Sequence, residues 1–207
     1  MESSAFLDVV RRRLAGVVAP DLPSDLPPTF ATGGGQLFDR FAAELDRTGG
    51  EAIRVRPDEL SARLATVAAG CATAVVAPAV DHREAVLEGL ARAGCELLDP
   101  DRDGAARAAI GVTGVVLGVA ATGSVLLAAA RGAPRAVGLL PPFHLVVLPE
   151  DRLVPGFEEL FGRMPALAAD SSNLVLVTGP SRTADIEMTL VLGVHGPGRL
   201  TVLVVAG

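Results

Sequence analysis

The sequence predicts an α/β fold: a mixed, mostly parallel β-sheet covered by helices. Three observations carry that prediction. Short Val-rich runs alternate with helix-like segments along the chain, as strand–crossover–strand units require. The runs are almost continuously apolar, which fits strands buried on both faces rather than strands with one wet side. Half of the 207 residues are apolar and a fifth are charged, enough for one sizeable core and too little for a second. The whole chain, 1–207, is therefore expected to form a single α/β domain, with 1–50 a helical flank and 51–207 the sheet-containing body.

Each element follows in order. Residues 2–14 place Phe6, Val9, Val10 and Leu14 at helical spacing. The proline-punctuated stretch 20–28 cannot continue that helix. Gly33-Gly34-Gly35 reads as a flexible connection. Residues 36–48 give a second amphipathic helix, with Leu37, Phe38, Phe41 and Leu45 on one stripe. The body then reads as strand 72–77, helix 82–93 ended by Gly94, short strand 96–98 and short helix 103–109. A hairpin of buried strands is expected over 111–130, turning at Thr122-Gly123. Strand 143–149, a helix near 155–163, strand 173–179, a helix-like 182–192 and strand 201–205 complete the chain.

Composition excludes several chemistries. The 18 basic residues are all Arg, so a Walker-type phosphate loop and a Schiff-base lysine are both ruled out. A net charge of −6 with seven Phe and no Trp or Tyr offers nucleic acid neither a cationic face nor stacking platforms. Cys71 and Cys95 are the only cysteines, too few for an iron–sulfur cluster and without zinc spacing, so they read as buried free thiols. No GxGxxG, GxSxG or HExxH pattern occurs. The first residues lack a signal-peptide core, which predicts a cytoplasmic protein. Residues 108–130 carry no charge over 23 positions, long enough to span a bilayer. Their four Gly, two Thr, one Ser and many Val favour buried strands over a membrane helix.

Polar residues gather at strand ends, where open α/β sheets bind ligands. The richest segment is 179–197. Gly179, Pro180, Ser181, Arg182 and Thr183 follow a strand, then Asp185 and Glu187, then His195 and Gly196 in a turn. A helix starting there would offer N–H groups to an anion, with Arg182 a carboxylate clamp. The structural alternative is that Ser181 or Thr183 caps the helix and the acids complement its dipole. His195 and His144 are the candidate catalytic proton acceptors, although a turn histidine bonded to backbone is the plainer reading of His195. Thr113, Thr122, Gly123 and Ser124 join the candidate ligand-binding set from the hairpin region. Arg131 and Arg135 lie between the loops as further candidate clamps or ordinary surface charges. His82 reads as an ordinary helix-start residue.

Five motifs, GVTG at 111–114, ATGS at 121–124, LPPFHLVVLP at 140–149, GPSRTADIE at 179–187 and GVHGP at 193–197, resemble the LutC/YkgG family of LUD-domain proteins. The resemblance covers the second half of the chain well and the first half only in layout. It implies a Rossmann-like sheet similar to the NagB/RpiA/CoA-transferase fold. It also implies a part in oxidising L-lactate to pyruvate beside partner subunits that carry iron–sulfur clusters. This chain itself is expected to hold no cofactor and no metal, and to be an accessory or substrate-binding subunit rather than a complete enzyme. Its ligand would be a small carboxylate or phosphorylated molecule, without nucleic acid or membrane insertion, and a homo-oligomer is compatible with all of this. Members usually carry Glu-Thr-Gly where this chain has Ala121-Thr122-Gly123. A glutamate in a similar turn is the nucleophile of CoA-transferases, and Ala121 has no nucleophilic atom. The alternatives are a stand-alone enzyme on the same fold, or a sensor that binds a metabolite or nucleotide without turnover.

Overall fold

The computed structural model describes residues 3–17, 36–129, 135–171, 173–183 and 191–207. The proline-rich 20–28, Gly33–Gly35, Arg131, Asp185 and Glu187 lie outside the described residues.

Two helices come first, α1 (Ser3–Leu14) and α2 (Leu37–Arg47). The body follows with β1 (Glu51–Val55), α3 (Leu60–Val67), β2 (Thr73–Val76), α4 (Arg83–Arg92), β3 (Glu96–Leu98), α5 (Arg102–Arg107) and β4 (Ile110–Thr113). A second group comprises β5 (Leu117–Val119), β6 (Ser124–Ala129), β7 (Phe143–Pro149), β8 (Leu153–Val154), α6 (Phe157–Asp170) and β9 (Asn173–Val177). The chain closes with β10 (Arg182–Thr183), β11 (Val191–Leu192) and β12 (Arg199–Val205).

Six strands form one sheet in the order β1-β12-β7-β4-β2-β3, with every pairing parallel. Its central strands are buried on both faces, as their continuous apolar sequence requires. One face packs Leu145, Val147, Leu203 and Val205 against Leu60, Leu64 and Leu90 of α3 and α4. The other packs Val146, Leu148, Val202 and Val204 against Phe41 and Leu45 of α2 and against the second sheet. Each such fully buried aliphatic side chain contributes about 1.5–3 kcal/mol.

The second sheet has four strands, β8-β5-β6-β9, with β5–β6 and β6–β9 antiparallel. The hairpin turn falls at Thr122-Gly123 as expected, between Val119 and Ser124. Gly123 has φ +62°, and a Cβ there would lie 2.3 Å from the Leu45 amide nitrogen, so this turn presses on the end of α2 with no room for a side chain.

The structure corrects three expectations. The segment 111–130 is not one hairpin: 110–113 is β4 of the parallel sheet, and only β5 and β6 form the hairpin. Each stretch has its own partner because Gly114 lets the chain cross the Ala79 carbonyl, which a Cβ would meet at 2.9 Å. The helix expected over 182–192 is replaced at both described ends by an antiparallel ribbon, Arg182 opposite Leu192 and Thr183 opposite Val191. The ribbon has long-range ties that a helical reading cannot see: Ser181 N–H donates to Pro197 O and Gly193 N–H to Ser181 O. The third correction is an addition. β1 and α3 were not anticipated, since Glu51 and Arg54 disguise an edge strand whose burial comes only from lying beside β12. Among the described residues no helix is long and apolar enough to cross a membrane. The charge-free run is strand wherever it is regular.

Candidate functional site

β7 sets the floor of the site. Alternation along the strand turns Phe143, Leu145 and Val147 toward α3 and α4, and His144 and Val146 toward the second sheet. His144 is 1 % exposed. Its register neighbours are Gly111 on β4 and Leu200 on β12. Gly111 leaves space that the Arg135–Gly138 turn fills, for a Cβ there would be 1.9 Å from the Val137 carbonyl oxygen. Gly138 in turn lies against the imidazole, at 3.1 Å from its would-be Cβ.

His144 Nε2 and Thr113 Oγ1 share a hydrogen bond at 2.8 Å. Thr113 ends β4 and is itself buried. Burial pushes the His144 imidazole down to about 4, so it is neutral at neutral pH.

Two cavities meet at this pair. The smaller, about 230 Å³, is lined by His144, Gly179, Pro180, Ser181, His195 and Gly196, among others. It lies over the amino ends of β7 and β12, where His144 and Leu200 are each the second residue. The larger, about 530 Å³, is lined by Thr113 and the residues that follow β2, β4 and β7, closed by β6 and β9. It occupies the carboxyl edge of the parallel strands, the usual ligand position in such sheets. Gly138, Leu139 and Val177 belong to both walls. Most of the larger lining is apolar, with polar groups from Thr113, Arg135, Arg152 and Asn173.

Arg152 is anchored. Its guanidinium donates to both Asp81 carboxylate oxygens at 2.8 and 2.9 Å and to the Val115 carbonyl at 2.8 Å. His82, beside Asp81, is the sole described non-glycine residue at positive φ, +52°, which histidine tolerates better than most side chains. Arg135 is exposed at the rim of the cavity. The Asn173 Oδ1 atom is buried and accepts no hydrogen bond among the described residues.

The structure thus brings together six of the residues singled out from sequence around the small cavity, with Thr113 joined to them through His144. It places the others elsewhere. Ser124 Oγ lies 2.7 Å from both Thr122 Oγ1 and Thr178 Oγ1, a hydroxyl chain that ties the hairpin turn to the end of β9. Gly123 packs on α2. Arg182 is exposed, its guanidinium lying over Gly49, which has no side chain to obstruct it. Thr183 sits in the β10–β11 ribbon. Ala121 is half-buried in the core of the second sheet and donates its N–H to Pro155 O. Asp81, Arg152, Asn173 and Thr178 were missed. A carboxylate or arginine just past a strand's carboxyl end was the available signal for Asp81 and Arg152, but their pairing spans 71 residues. Among the described residues, no group of three or more His, Cys, Asp or Glu is placed to hold a metal ion.

Comparison with known proteins places the chain by family and fold. A family model described as the LUD domain matches residues 38–205. A protein named lactate utilization protein C from Macrococcus caseolyticus is 42% identical over 105 residues, 49% of this chain and 46% of that protein. Its namesake from Deinococcus radiodurans is 38% identical over 95 residues, 45% of each. The chain therefore spans about half the length of the curated relatives it matches. The crystal structure of a DUF162 family protein from Deinococcus radiodurans superposes with a TM-score of 0.64 at 21% identity, over 86% of this chain and all of that one. That likeness shows the same mixed α/β fold.

Proposed function

The chain belongs to the LUD-domain family, and on that premise we propose that it is a LutC-like lactate-utilisation protein, the cluster-free, acid-binding subunit of an iron–sulfur-dependent system that oxidises L-lactate to pyruvate. The observation that carries this reading is the small cavity. Two loops, 179–181 and 195–197, close with His144 on a space of about 230 Å³. That is room for a small organic acid, held between a buried neutral imidazole and a solvent-exposed one.

The two histidines then divide the work. His144, neutral and bonded to Thr113, fixes the direction of that hydroxyl and is a weak base at neutral pH. His195 is exposed at the mouth, where its imidazole faces both the cavity and solvent. Arg152 is engaged by Asp81, so Arg135 is the arginine of the adjoining wall placed to meet a carboxylate. The electrons removed from lactate leave through partner subunits, for the two cysteines of this chain cannot ligate a cluster.

The test is an affinity purification of the tagged chain from its own cells grown on lactate, with the eluate assayed for L-lactate-dependent dye reduction. We expect iron–sulfur proteins to co-purify and activity to fall at least tenfold with a Ser181→Trp chain, which fills the small cavity. A chain that purifies alone, from cells whose lactate oxidation survives its deletion, would sink the reading.

A further inference from the structure

The two cysteines, 24 residues apart in sequence, occupy matching places in the fold. Each follows a glycine in the left-handed region: Gly70 (φ +85°) before Cys71 and Gly94 (φ +78°) before Cys95. Each glycine lies just past a helix, α3 or α4, and each cysteine leads into one of two adjacent parallel strands, β2 or β3. Thr73 stands opposite Glu96, and Glu96 N–H donates to Ala72 O at 2.9 Å. Cys71 lies two residues ahead of Thr73 and Cys95 one residue ahead of Glu96, each just before its strand. Both side chains pack against the same core cluster, and the Cys95 thiol donates to the Cys71 carbonyl at 3.0 Å, so the two cysteines are in direct contact. Both are only half-buried, where their apolar flanks predict fully buried thiols.

We infer that Cys71 and Cys95 form a reversible intramolecular disulfide, an oxidation site at the amino end of the β2–β3 pair and separate from the two cavities. The oxidant is a low-molecular-weight disulfide of the glutathione type. One protein thiolate attacks a sulfur of the oxidised reagent, giving a mixed disulfide and releasing one reagent thiol. The second protein thiolate attacks the protein sulfur of that mixed disulfide, forming the Cys71–Cys95 bond and releasing the second reagent thiol. Two protein thiols and one reagent disulfide become one protein disulfide and two reagent thiols. Burial raises both protein thiols above their ordinary range, which makes the exchange slow. Arg199 offsets part of this for Cys71, whereas Cys71 itself adds to it for Cys95.

The experiment incubates the folded full chain with oxidised glutathione, alkylates remaining thiols, and reads intact mass and linked peptides. The expected main product has lost about 2 Da, carries no glutathione, and joins the Cys71 and Cys95 peptides. A Cys95→Ser chain should instead stop at the glutathione adduct on Cys71. The bond closes a loop of about 25 residues, so the oxidised chain should melt roughly 5–10 °C higher than the reduced one. Wild-type chain that accumulates only glutathione adducts or linked dimers, or reacts only in denaturant, would overturn the inference. So would an oxidised chain that melts lower than the reduced chain.

Discussion

The two sheets of this molecule are built on opposite terms. In the six-stranded sheet, β7 and β12 run buried from end to end between helices on one face and α2 with the second sheet on the other. In the four-stranded sheet, β9 leaves Val175 and Leu176 about 40% exposed and pairs on one side only, with β6, among the described residues. The first sheet is where stability resides; the second closes the larger cavity over the carboxyl edge of the first. What they teach together is a division between scaffold and wall. A strand sealed on both faces cannot change without cost, whereas a half-exposed strand can be tuned toward a ligand.

The largest expected effect lies at the centre of the parallel sheet. Leu203, paired with Ile53 and Val147 and fully buried, should cost about 3–4 kcal/mol on truncation to alanine, read as the shift of a urea unfolding midpoint. A cost near that of a surface change would break the contrast between the sheets.

The next effect is at the seam between them. His144 is held neutral down to about pH 4, while the unfolded chain takes up a proton near pH 6.5. The unfolded state therefore binds more protons between those values, and stability falls as pH drops through that window. The loss should approach roughly 3 kcal/mol at pH 4, at about 1.4 kcal/mol per unit. Urea titrations at pH 7, 6, 5 and 4.5 measure it, with His144→Gln as the partner experiment. The Gln chain should lose this component, and identical pH slopes in the two proteins would remove His144 from the account.

The smallest effect is predicted on the wall. Val175→Thr keeps the shape of the side chain on β9 and should move stability by no more than about 0.5 kcal/mol. It places a hydroxyl in the lining of the larger cavity, so ligand affinity should change by more than stability does. A large loss of stability would mean that the second sheet is scaffold as well.

Several features were legible without coordinates, each for a local reason. The strand at Phe143–Pro149 matches its prediction residue for residue, because an apolar run bounded by Pro141-Pro142 and Pro149 admits few other readings. The turn at Thr122-Gly123 was legible because the residue at φ +62° is glycine. His144, Ser181 and His195 were singled out because polar residues between strands stand out against an apolar chain. The 182–192 segment misled for the converse reason: its ends are fixed by pairing with each other and by Ser181, Gly193 and Pro197, none of which appears in a periodicity.

From the sequence alone came the α/β class, the strand cores, the chemistries excluded by an all-arginine basic set and two cysteines, and the residues around the small cavity. Only the tertiary structure decided that β4 leaves the hairpin for the parallel sheet, that Glu51–Val55 becomes a strand beside β12, and that Asp81 grips Arg152 across the larger cavity's edge. The division has one physical cause. Hydrophobic period and turn chemistry act within a few residues, whereas strand partners, cavity walls and ion pairs are settled by which distant surfaces exclude water together.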